Sequence, residues 1–261
     1  MPASALMNVM TQAARKAGRQ LARDFGEVEQ LQVSIKGPAN FVSAADMRAE
    51  QILFEELTKA RPGYGFLMEE RGEVAGSDKS HRWIVDPLDG TTNFLHSLPV
   101  FAISIGLERD GQMIAGLVYN PIMNELYTAE KGKGAFLNDR RMRVAARRTL
   151  ADCVIATGIP NRGDSGHRAF LGELEKVMKE VAGVRRYGAA ALDLCYVAAG
   201  RFDGFWERGL APWDMAAGML MVREAGGFVS DCQGGQEIFG TGSVVAGNEA
   251  IRKQLQAVVG G

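Results

Sequence analysis

The segment WIVDPLDGTTNF, residues 83–94, joins a short apolar run to a turn that carries two acidic side chains. The apolar run predicts a buried strand, and α/β proteins tend to place ligand sites at the ends of strands. Asp86 and Asp89 flank Pro87, whose ring fixes the local backbone, so the turn can direct both carboxylates at one point. Because two close carboxylates repel each other unless a cation lies between them, the pair favours a hard metal ion such as Mg²⁺.

The next residues of the segment suit an anion. Gly90 lets the backbone approach a ligand closely, and the amides of Gly90 and Thr91 can form a small nest for negatively charged oxygens. The motif also has a plainer interpretation, because Asp-Pro and Asp-Gly are common turn dipeptides. Taken alone, the segment leaves both an ordinary turn and a metal site open.

Acidic residues elsewhere in the chain favour the metal site. Glu69 and Glu70 directly follow the predicted strand 65–68, and Asp214 lies at the start of an apolar helix. By themselves, the first two are typical of a solvated acidic pair, and the third is typical of an acid that interacts with the amides and dipole of a helix start. Three acidic clusters, each at a strand end or a helix start, are better explained together as one metal site.

The composition is typical of a globular protein with a large core. Of the 261 residues, 46% are apolar and 23% are charged, and this length suits one large α/β domain or two packed lobes. A net charge of −1 provides no general positive field for nucleic acid or an anionic membrane. The sequence contains no apolar run long enough to span a bilayer and no signal-peptide core, which predicts a cytoplasmic protein without membrane contact.

The pattern of apolar residues predicts an α/β fold. Helical spacing predicts a first helix over residues 4–24, and Ser43 is expected to cap a second helix. The runs 101–108 and 113–119 flank an Asp-Gly pair and predict a hairpin with a type I′ turn, within an antiparallel meander. After about residue 150 predicted strands and helices alternate, and the nearly all-apolar segment 189–200 predicts a buried helix.

Two further features concern the thiols and a basic stretch. The cysteines Cys153, Cys195 and Cys232 lie beside apolar residues without metal-binding spacing, which predicts buried free thiols. Residues 131–148 are rich in Lys and Arg. This stretch is interpreted either as a solvated edge of the meander or as a docking patch for RNA or an acidic partner, and Phe136 alone does not make a base-stacking surface.

The chain resembles the inositol monophosphatase family, and within it the bacterial extragenic-suppressor-type branch. One family motif is similar to residues 83–94 and a second to PWDMAAGMLMVREAGG, residues 212–227. Supporting segments occur in the family's order: FLMEE (66–70), NFVSAAD (40–46), KGKGAF (131–136), YGAAALDLCYVAAGRFDGFWE (187–207) and VVAGN (244–248). The resemblance implies a layered sandwich of helices and sheets of the inositol monophosphatase and fructose-bisphosphatase type. It is expected to form a single domain of two tightly packed lobes, about 1–145 and 146–261.

The resemblance also implies a role for each acid in a site with two or three Mg²⁺ ions. One ion would be held by Glu69, Asp86 and the backbone carbonyl of Leu88, and a second by Asp86, Asp89 and Asp214. Glu69 is counted with the catalytic residues because a further ion can be recruited through it when substrate is present.

The remaining implied roles concern water and substrate. Thr91, paired with Asp46, would orient and activate the attacking water, and the amides of Gly90 and Thr91 would bind phosphate. Contacts to the polyol are assigned to the Ala190 backbone and to the acids Asp89, Glu207 and Asp214. No nucleophile signature is recognisable among the serines, cysteines or histidines, which agrees with direct attack by water.

The implied reaction is Mg²⁺-dependent hydrolysis of a phosphate monoester, with myo-inositol 1-phosphate as the expected substrate. Ala189 departs from the Ser or Thr that relatives often carry, which affects fine specificity. Other small esters stay open: a sugar bisphosphate, a 3′-phosphonucleotide, histidinol phosphate or NADP. A regulatory protein that contacts RNA polymerase or a transcription factor is the alternative of another class. Family resemblance further implies a homodimer and inhibition by Li⁺.

Overall fold

The computed structural model describes residues 4–27, 33–37, 40–161 and 163–260. Within these residues the chain forms eight α-helices and one 3₁₀ turn at Leu150–Asp152. The helices are α1 (Ala5–Phe25), α2 (Ala44–Ala60), α3 (Thr91–Leu95), α4 (His167–Glu180), α5 (Ala190–Ala198), α6 (Pro212–Glu224), α7 (Ile238–Thr241) and α8 (Glu249–Val259).

The strands of the described residues form a two-stranded, an eight-stranded and a five-stranded sheet. The first pairs β1 (Val33–Gly37) with β2 (Asn40–Ser43). The second has the order β10-β9-β8-β7-β6-β5-β3-β4, with β3 (Gly65–Met68), β4 (Gly72–Val74), β5 (His81–Asp89), β6 (Ala102–Arg109), β7 (Gln112–Asn120), β8 (Glu125–Glu130), β9 (Gly134–Leu137) and β10 (Arg140–Arg141). The third has the order β12-β11-β13-β15-β14, with β11 (Val154–Thr157), β12 (Gly183–Arg185), β13 (Gly204–Arg208), β14 (Phe228–Ser230) and β15 (Ser243–Gly247).

Helices and sheets alternate in five layers. Helices α1 and α2 cover one face of the eight-stranded sheet, and α5 and α6 lie against its other face. The same two helices also contact the five-stranded sheet, whose outer face is covered by α4 and α8. The layered sandwich expected for this chain is therefore confirmed. The division into two lobes near residue 145 stays a prediction, since α5 and α6 pack between both sheets.

Local signals explain where several elements begin. Ser43 caps α2, as the sequence predicts, and together with Asp46 it forms a complete capping box. Asn248 accepts a hydrogen bond from the Ile251 amide at the start of α8. Asp110 and Gly111 have φ values of 50° and 76°, and positive values at both positions are what a type I′ hairpin turn requires.

The middle helical layer is the most apolar part of the fold. Every residue of α5 except Tyr196 is buried, which confirms the prediction of a buried helix over this segment. Cys153, Cys195 and Cys232 are free and buried, as expected. The described part of the chain contains no helix that is both long enough and apolar enough to cross a membrane.

Short elements were missed by the periodicity of the sequence. The hairpin β1–β2, the three-residue strands β4 and β12, and the short helices α3 and α7 carry too few residues to show a period. The first helix runs from Ala5 to Phe25 instead of 4–24, a shift of one residue at each end.

Candidate metal and phosphate site

An irregularity in β5 places the two acids of the central motif on one face of the sheet. Asp86 pairs with Ser104 of β6, but Asp89 pairs with Ala102, so β5 uses three residue steps where β6 uses two. Side chains alternate faces along a strand, so two acids three residues apart would point in opposite directions in a regular strand. The extra residue at Pro87-Leu88 acts as a bulge and cancels this alternation. Both carboxylates can therefore serve one site.

Gly90 allows the turn after the bulge. Its φ of 91° lies in the left-handed region, and a β-carbon there would come within 2.9 Å of the Val100 carbonyl. A side chain is thus excluded both by backbone conformation and by space. Helix α3 begins at the next residue, so the Thr91 amide lies at the start of a helical turn.

Asp46 and Thr91 meet across two helices. The Thr91 hydroxyl lies 3.0 Å from Oδ1 of Asp46 and 3.1 Å from the Leu88 carbonyl. Oδ2 of Asp46 accepts from both the backbone amide and the hydroxyl of Ser43. Burial raises the pKa of Asp46, and the hydrogen bonds from Ser43 oppose that rise. The same capping box that starts α2 therefore fixes the carboxylate that faces Thr91.

Asp89 caps a helix from the opposite sheet layer. Its Oδ2 accepts a hydrogen bond of 2.8 Å from the Ala191 amide in the first turn of α5. The residue at the N-cap position of α5 is Ala189, whose side chain makes no capping bond. Asp89 thus supplies the acceptor that a Ser or Thr cap would normally provide. This bond places Asp89 beside the first turn of α5, which contains Ala190.

Asp214 and Glu207 approach from the five-stranded side. Asp214 is the third residue of α6, and its Oδ2 accepts from the Ala211 amide at 2.8 Å. Glu207 lies on β13, partly buried, and its carboxylate is close to the backbone of Gly158. The charges of Asp214 and Asp89 both act on Glu207. The structure therefore brings these three acids together.

Burial, followed by repulsion between neighbouring acids, raises the pKa values of the acids in the cluster. Burial, followed by the negative charge of Asp214, raises the pKa of Asp89 to about 8, and burial and Glu69 raise that of Asp214 to about 7. Burial and the charges of Asp214 and Asp89 raise the pKa of Glu207 to about 8. Asp86 is only 1% exposed, and burial together with Glu69 and the other acids raises its pKa well above the ordinary range. Such a cluster is stable in its ionised form only with a cation.

A cavity of about 210 Å³ opens over the cluster. Six of the ten residues predicted from the sequence line it: Asp89, Gly90, Thr91, Ala190, Glu207 and Asp214. The other four lie outside its lining: Asp46, Glu69, Asp86 and Leu88. Asp46 and Leu88 are fully buried. Glu69 at the end of β3 is partly exposed, and its charge acts on Asp86 and Asp214.

The donor set fits Mg²⁺. Carboxylate and carbonyl oxygens are the hard ligands that this ion prefers, and the described residues place no Lys or Arg in an ion pair with Asp86, Asp89 or Asp214. Across the described ranges, no three His, Cys, Asp or Glu side chains already form a closed cage for a metal ion. Asp89 and Asp214 each turn one carboxylate oxygen to a backbone amide, which leaves their other oxygens for a metal ion.

Asn93 is a residue whose role the sequence did not reveal. Its side-chain amide donates to the carbonyls of Val100, Tyr187 and Gly188 at 2.7, 2.8 and 3.3 Å. It therefore ties the turn of the central motif to the segment that precedes α5. Such a contact, 94 residues apart in sequence, leaves no local signal.

Three other residues near the site were not predicted. Arg186 lines the cavity, and Gly158 leaves room for the Glu207 carboxylate. Asp193 of α5 is 1% exposed, and neither of its carboxylate oxygens has a hydrogen-bond partner among the described residues. Burial, followed by the charge of Glu207, raises its pKa well above the ordinary range. Arg71, which follows the Glu69-Glu70 pair, lies over the Phe54 ring at 4.2 Å and does not line the cavity.

Comparison with known proteins shows the family of this chain. A sequence model described as the inositol monophosphatase family matches residues 3–259. The chain belongs to this family. An inositol-1-monophosphatase of Mesorhizobium japonicum is 66% identical over 259 residues, covering 99% of this chain and 97% of that protein.

Further relatives link the inositol monophosphatase family to a second name. The Nus factor SuhB of Escherichia coli K12 is 44% identical over 252 residues, covering 97% of this chain and 94% of its own length. The crystal structure of the extragenic suppressor protein SuhB from Bartonella henselae superposes with a TM-score of 0.96 at 64% identity, covering 98% of each chain. Three relatives that are 59–66% identical to this chain are named inositol-1-monophosphatase. Together with the family match, they show that this chain is an inositol-phosphate phosphatase, a phosphoric monoester hydrolase.

Proposed function

We propose that this chain hydrolyses myo-inositol 1-phosphate to inositol and inorganic phosphate, and that the reaction requires Mg²⁺. The observation that carries the proposal is the buried convergence of Asp86, Asp89 and Asp214, whose pKa values are raised by burial and by the charges of neighbouring acids. In their ionised form these acids need cations beside them. Glu69 and the Leu88 carbonyl complete the donor set for two ions, with a third recruited through Glu69. When bound, Mg²⁺ neutralises the phosphate dianion and makes the attacking water more acidic.

The residues of the chain position the reactants. The Thr91 hydroxyl, held by Asp46, orients the water that attacks phosphorus in line with the leaving oxygen. The backbone amides of Gly90 and Thr91 bind phosphate oxygens at the start of α3. Asp89, Ala190, Glu207 and Asp214 line the cavity, and their oxygens can accept hydrogen bonds from the hydroxyls of a polyol.

The cavity supports a small substrate. The volume of about 210 Å³ lies below the roughly 300–1,000 Å³ of drug-sized sites, which favours a small ligand. The Glu207 carboxylate offers acceptors to hydroxyl groups. Arg186 at the cavity wall leaves a second phosphate group possible, so a sugar bisphosphate stays the first alternative substrate. The further alternative substrates are a 3′-phosphonucleotide, histidinol phosphate and NADP.

Phosphate release from myo-inositol 1-phosphate across a Mg²⁺ titration tests the proposal, with Asp86→Asn alongside. Release that needs Mg²⁺ and is lost in the variant supports it, and LiCl is expected to inhibit by competing for a Mg²⁺ position. Absence of release from folded protein at saturating Mg²⁺ contradicts it. Unchanged turnover at high Li⁺ would contradict the predicted inhibition by Li⁺.

We also propose contact with the transcription machinery as a second function, because the E. coli relative is named a Nus factor. Capture of RNA polymerase from a lysate that persists in Asp86→Asn supports a role separate from catalysis. Capture by the parent chain that is lost in Asp86→Asn counts against a separate role. A homodimer is proposed as the assembly state, and sedimentation of the purified chain tests it.

A further inference from the structure

A second cavity opens at the far edge of the eight-stranded sheet, with a volume of about 560 Å³. Four arginines line it: Arg140 and Arg141 on β10, Arg143, and Arg201. It lies beyond the C-terminal end of α5, whose N-terminal amides bind Asp89. A helix of nine residues is about 13 Å long, so this cavity is separate from the catalytic one. We refer to it as the arginine cavity.

The only acid in the lining of the arginine cavity, within the described chain, is already neutralised. Glu125 receives two hydrogen bonds from Arg201, at 2.6 and 3.1 Å, and one from the Tyr127 hydroxyl at 2.7 Å. Arg201 is further held over the Tyr196 ring at 4.8 Å. This group therefore forms a neutral wall.

The other three arginines keep their charge. Arg140, Arg141 and Arg143 have no acidic partner within 4.0 Å in the part of the chain that the structure describes. The Arg141 guanidinium lies against Gly134, where a β-carbon would come within 2.9 Å of Nη2. Arg143 is held by a 3.0 Å bond from Nη1 to the Met142 carbonyl. The cavity thus presents three guanidinium groups without an acidic partner. Contacts with the backbone fix the positions of two of them, Arg141 and Arg143.

We propose that the arginine cavity binds a small molecule that carries two or more phosphate groups, of the nucleoside diphosphate class. Guanidinium groups bind phosphate oxygens through two parallel hydrogen bonds, and three such groups match the charge of a diphosphate. The volume lies within the range of small-molecule sites, roughly 300–1,000 Å³. Leu137, Met142 and Ala199 add apolar surface for the organic part of the ligand.

Two other interpretations fit the observations less well. Charged side chains on an edge strand protect a sheet from pairing with another chain, but this role needs no concave cavity and no support for Arg141. RNA binding needs an extended basic surface with aromatic rings, whereas none of the residues that line the arginine cavity is aromatic and the net charge is −1.

Calorimetric titration of the full chain with ADP tests the proposal. EDTA is present throughout, so that the acids of the metal-free catalytic site repel the ligand. Saturable binding of one ADP is expected, and the double variant Arg140→Gln/Arg143→Gln should weaken it at least 10-fold. The matched control Arg19→Gln/Arg168→Gln removes two exposed arginines from α1 and α4 and should leave the affinity unchanged.

The absence of saturable ADP binding to the parent chain would overturn the proposal, as would equal affinity in the Arg140→Gln/Arg143→Gln variant. Binding of a single-stranded RNA of 20 nucleotides by a chain that does not bind ADP would also overturn it, in favour of nucleic-acid docking. Both replaced arginines are exposed, so the thermal midpoint and the phosphatase turnover of the variant should match the parent. Because ADP binding and phosphatase turnover are measured separately, failure of the ADP proposal can be distinguished from failure of the proposed catalytic function.

Discussion

The carboxylate of Glu207 occupies the space that a side chain at Gly158 would need. A β-carbon built on Gly158 would lie 1.7 Å from Oε1 and 1.9 Å from Cδ of Glu207. The two residues follow the paired positions Thr157 and Trp206 on the neighbouring parallel strands β11 and β13. Gly158 does not adopt a left-handed backbone, so a side chain here is opposed only by the end of the Glu207 side chain, which would have to move aside. The position of an acid in the cavity therefore depends on the absence of a side chain on the adjacent strand.

Gly158→Ala is expected to displace the Glu207 carboxylate and to weaken polyol recognition. We expect KM for myo-inositol 1-phosphate to rise about tenfold, which corresponds to ~1.4 kcal/mol of binding free energy. The acids Asp86 and Asp89 are not moved, so hydrolysis of p-nitrophenyl phosphate, which lacks the hydroxyls, should keep at least half of its rate. Steady-state kinetics on both esters measure the difference.

Gly172→Ala is the matched control. Gly172 lies within α4, and a β-carbon there would have nothing within 4 Å. The control should leave both rates unchanged and stabilise the fold by about 1 kcal/mol, because alanine favours a helix over glycine. An equal loss on both esters in Gly158→Ala would show that Glu207 does not act on substrate hydroxyls.

Asp89 has two separable roles, and two substitutions distinguish them. Asp89→Asn keeps an oxygen that can accept from the Ala191 amide, so α5 stays capped while the charge is lost. We expect turnover to fall at least ~100-fold, or about 2.7 kcal/mol of transition-state stabilisation, without a lower thermal midpoint. Asp89→Ala removes the cap as well and should be about 1 kcal/mol less stable than Asp89→Asn. Near-parental turnover in Asp89→Asn would contradict its assignment as a metal ligand.

Long periodic elements of this fold are predictable from the sequence. Helix α2 follows from Ser43 and Asp46, and the hairpin of β6 and β7 follows from its Asp-Gly turn. These features depend on residues within a few positions of one another. The acids Asp86, Asp89 and Asp214 were likewise visible as candidates, because they follow an apolar run or lie at the start of an apolar helix. In the structure β5 continues through Asp86 and ends at Asp89.

The mutual arrangement of the site residues was not predictable, because it depends on contacts between distant segments. The bulge that aligns Asp86 with Asp89 is visible only in the pairing of β5 with β6. Capping of α5 by Asp89 bridges 102 residues. The carboxylate of Asp193 is buried without a hydrogen-bond partner among the described residues, and the apolar pattern of its helix gives no sign of this. Such relationships require the assembled layers.

Thr91 provides a test of how the attacking water is held. Thr91→Val replaces the hydroxyl by a methyl group of similar size and removes the contact with Asp46, which lies 3.0 Å away. We expect kcat to fall about 100-fold at saturating Mg²⁺, within the range for loss of an acid–base contact. Thr91→Ser keeps the hydroxyl and should retain activity within a few-fold. Equal loss in both variants would indicate that the methyl group, and not the hydroxyl, matters.

The stability of the metal-free protein should fall as pH rises. In the unfolded chain Asp89 and Asp214 ionise near pH 4, whereas their pKa values in the metal-free fold are about 8 and about 7. Between these limits the folded state binds more protons than the unfolded state, so the free energy of unfolding decreases from about pH 4 to about pH 8. Glu207, with a pKa of about 8, acts in the same direction.

Mg²⁺ should reverse this trend, because it binds the ionised acids and only the folded state assembles them. Scanning calorimetry at pH 5.5 and pH 8, each with EDTA or with Mg²⁺, measures the four thermal midpoints. A Mg²⁺ concentration of about 5 mM suits a weak metal site. The increase caused by Mg²⁺ should be larger at pH 8, and Asp214→Asn should reduce both the pH dependence and the Mg²⁺ effect. A metal-free midpoint that rises between pH 5.5 and pH 8 would show that the acids are not held in mutual repulsion, and the metal site would then need another set of ligands.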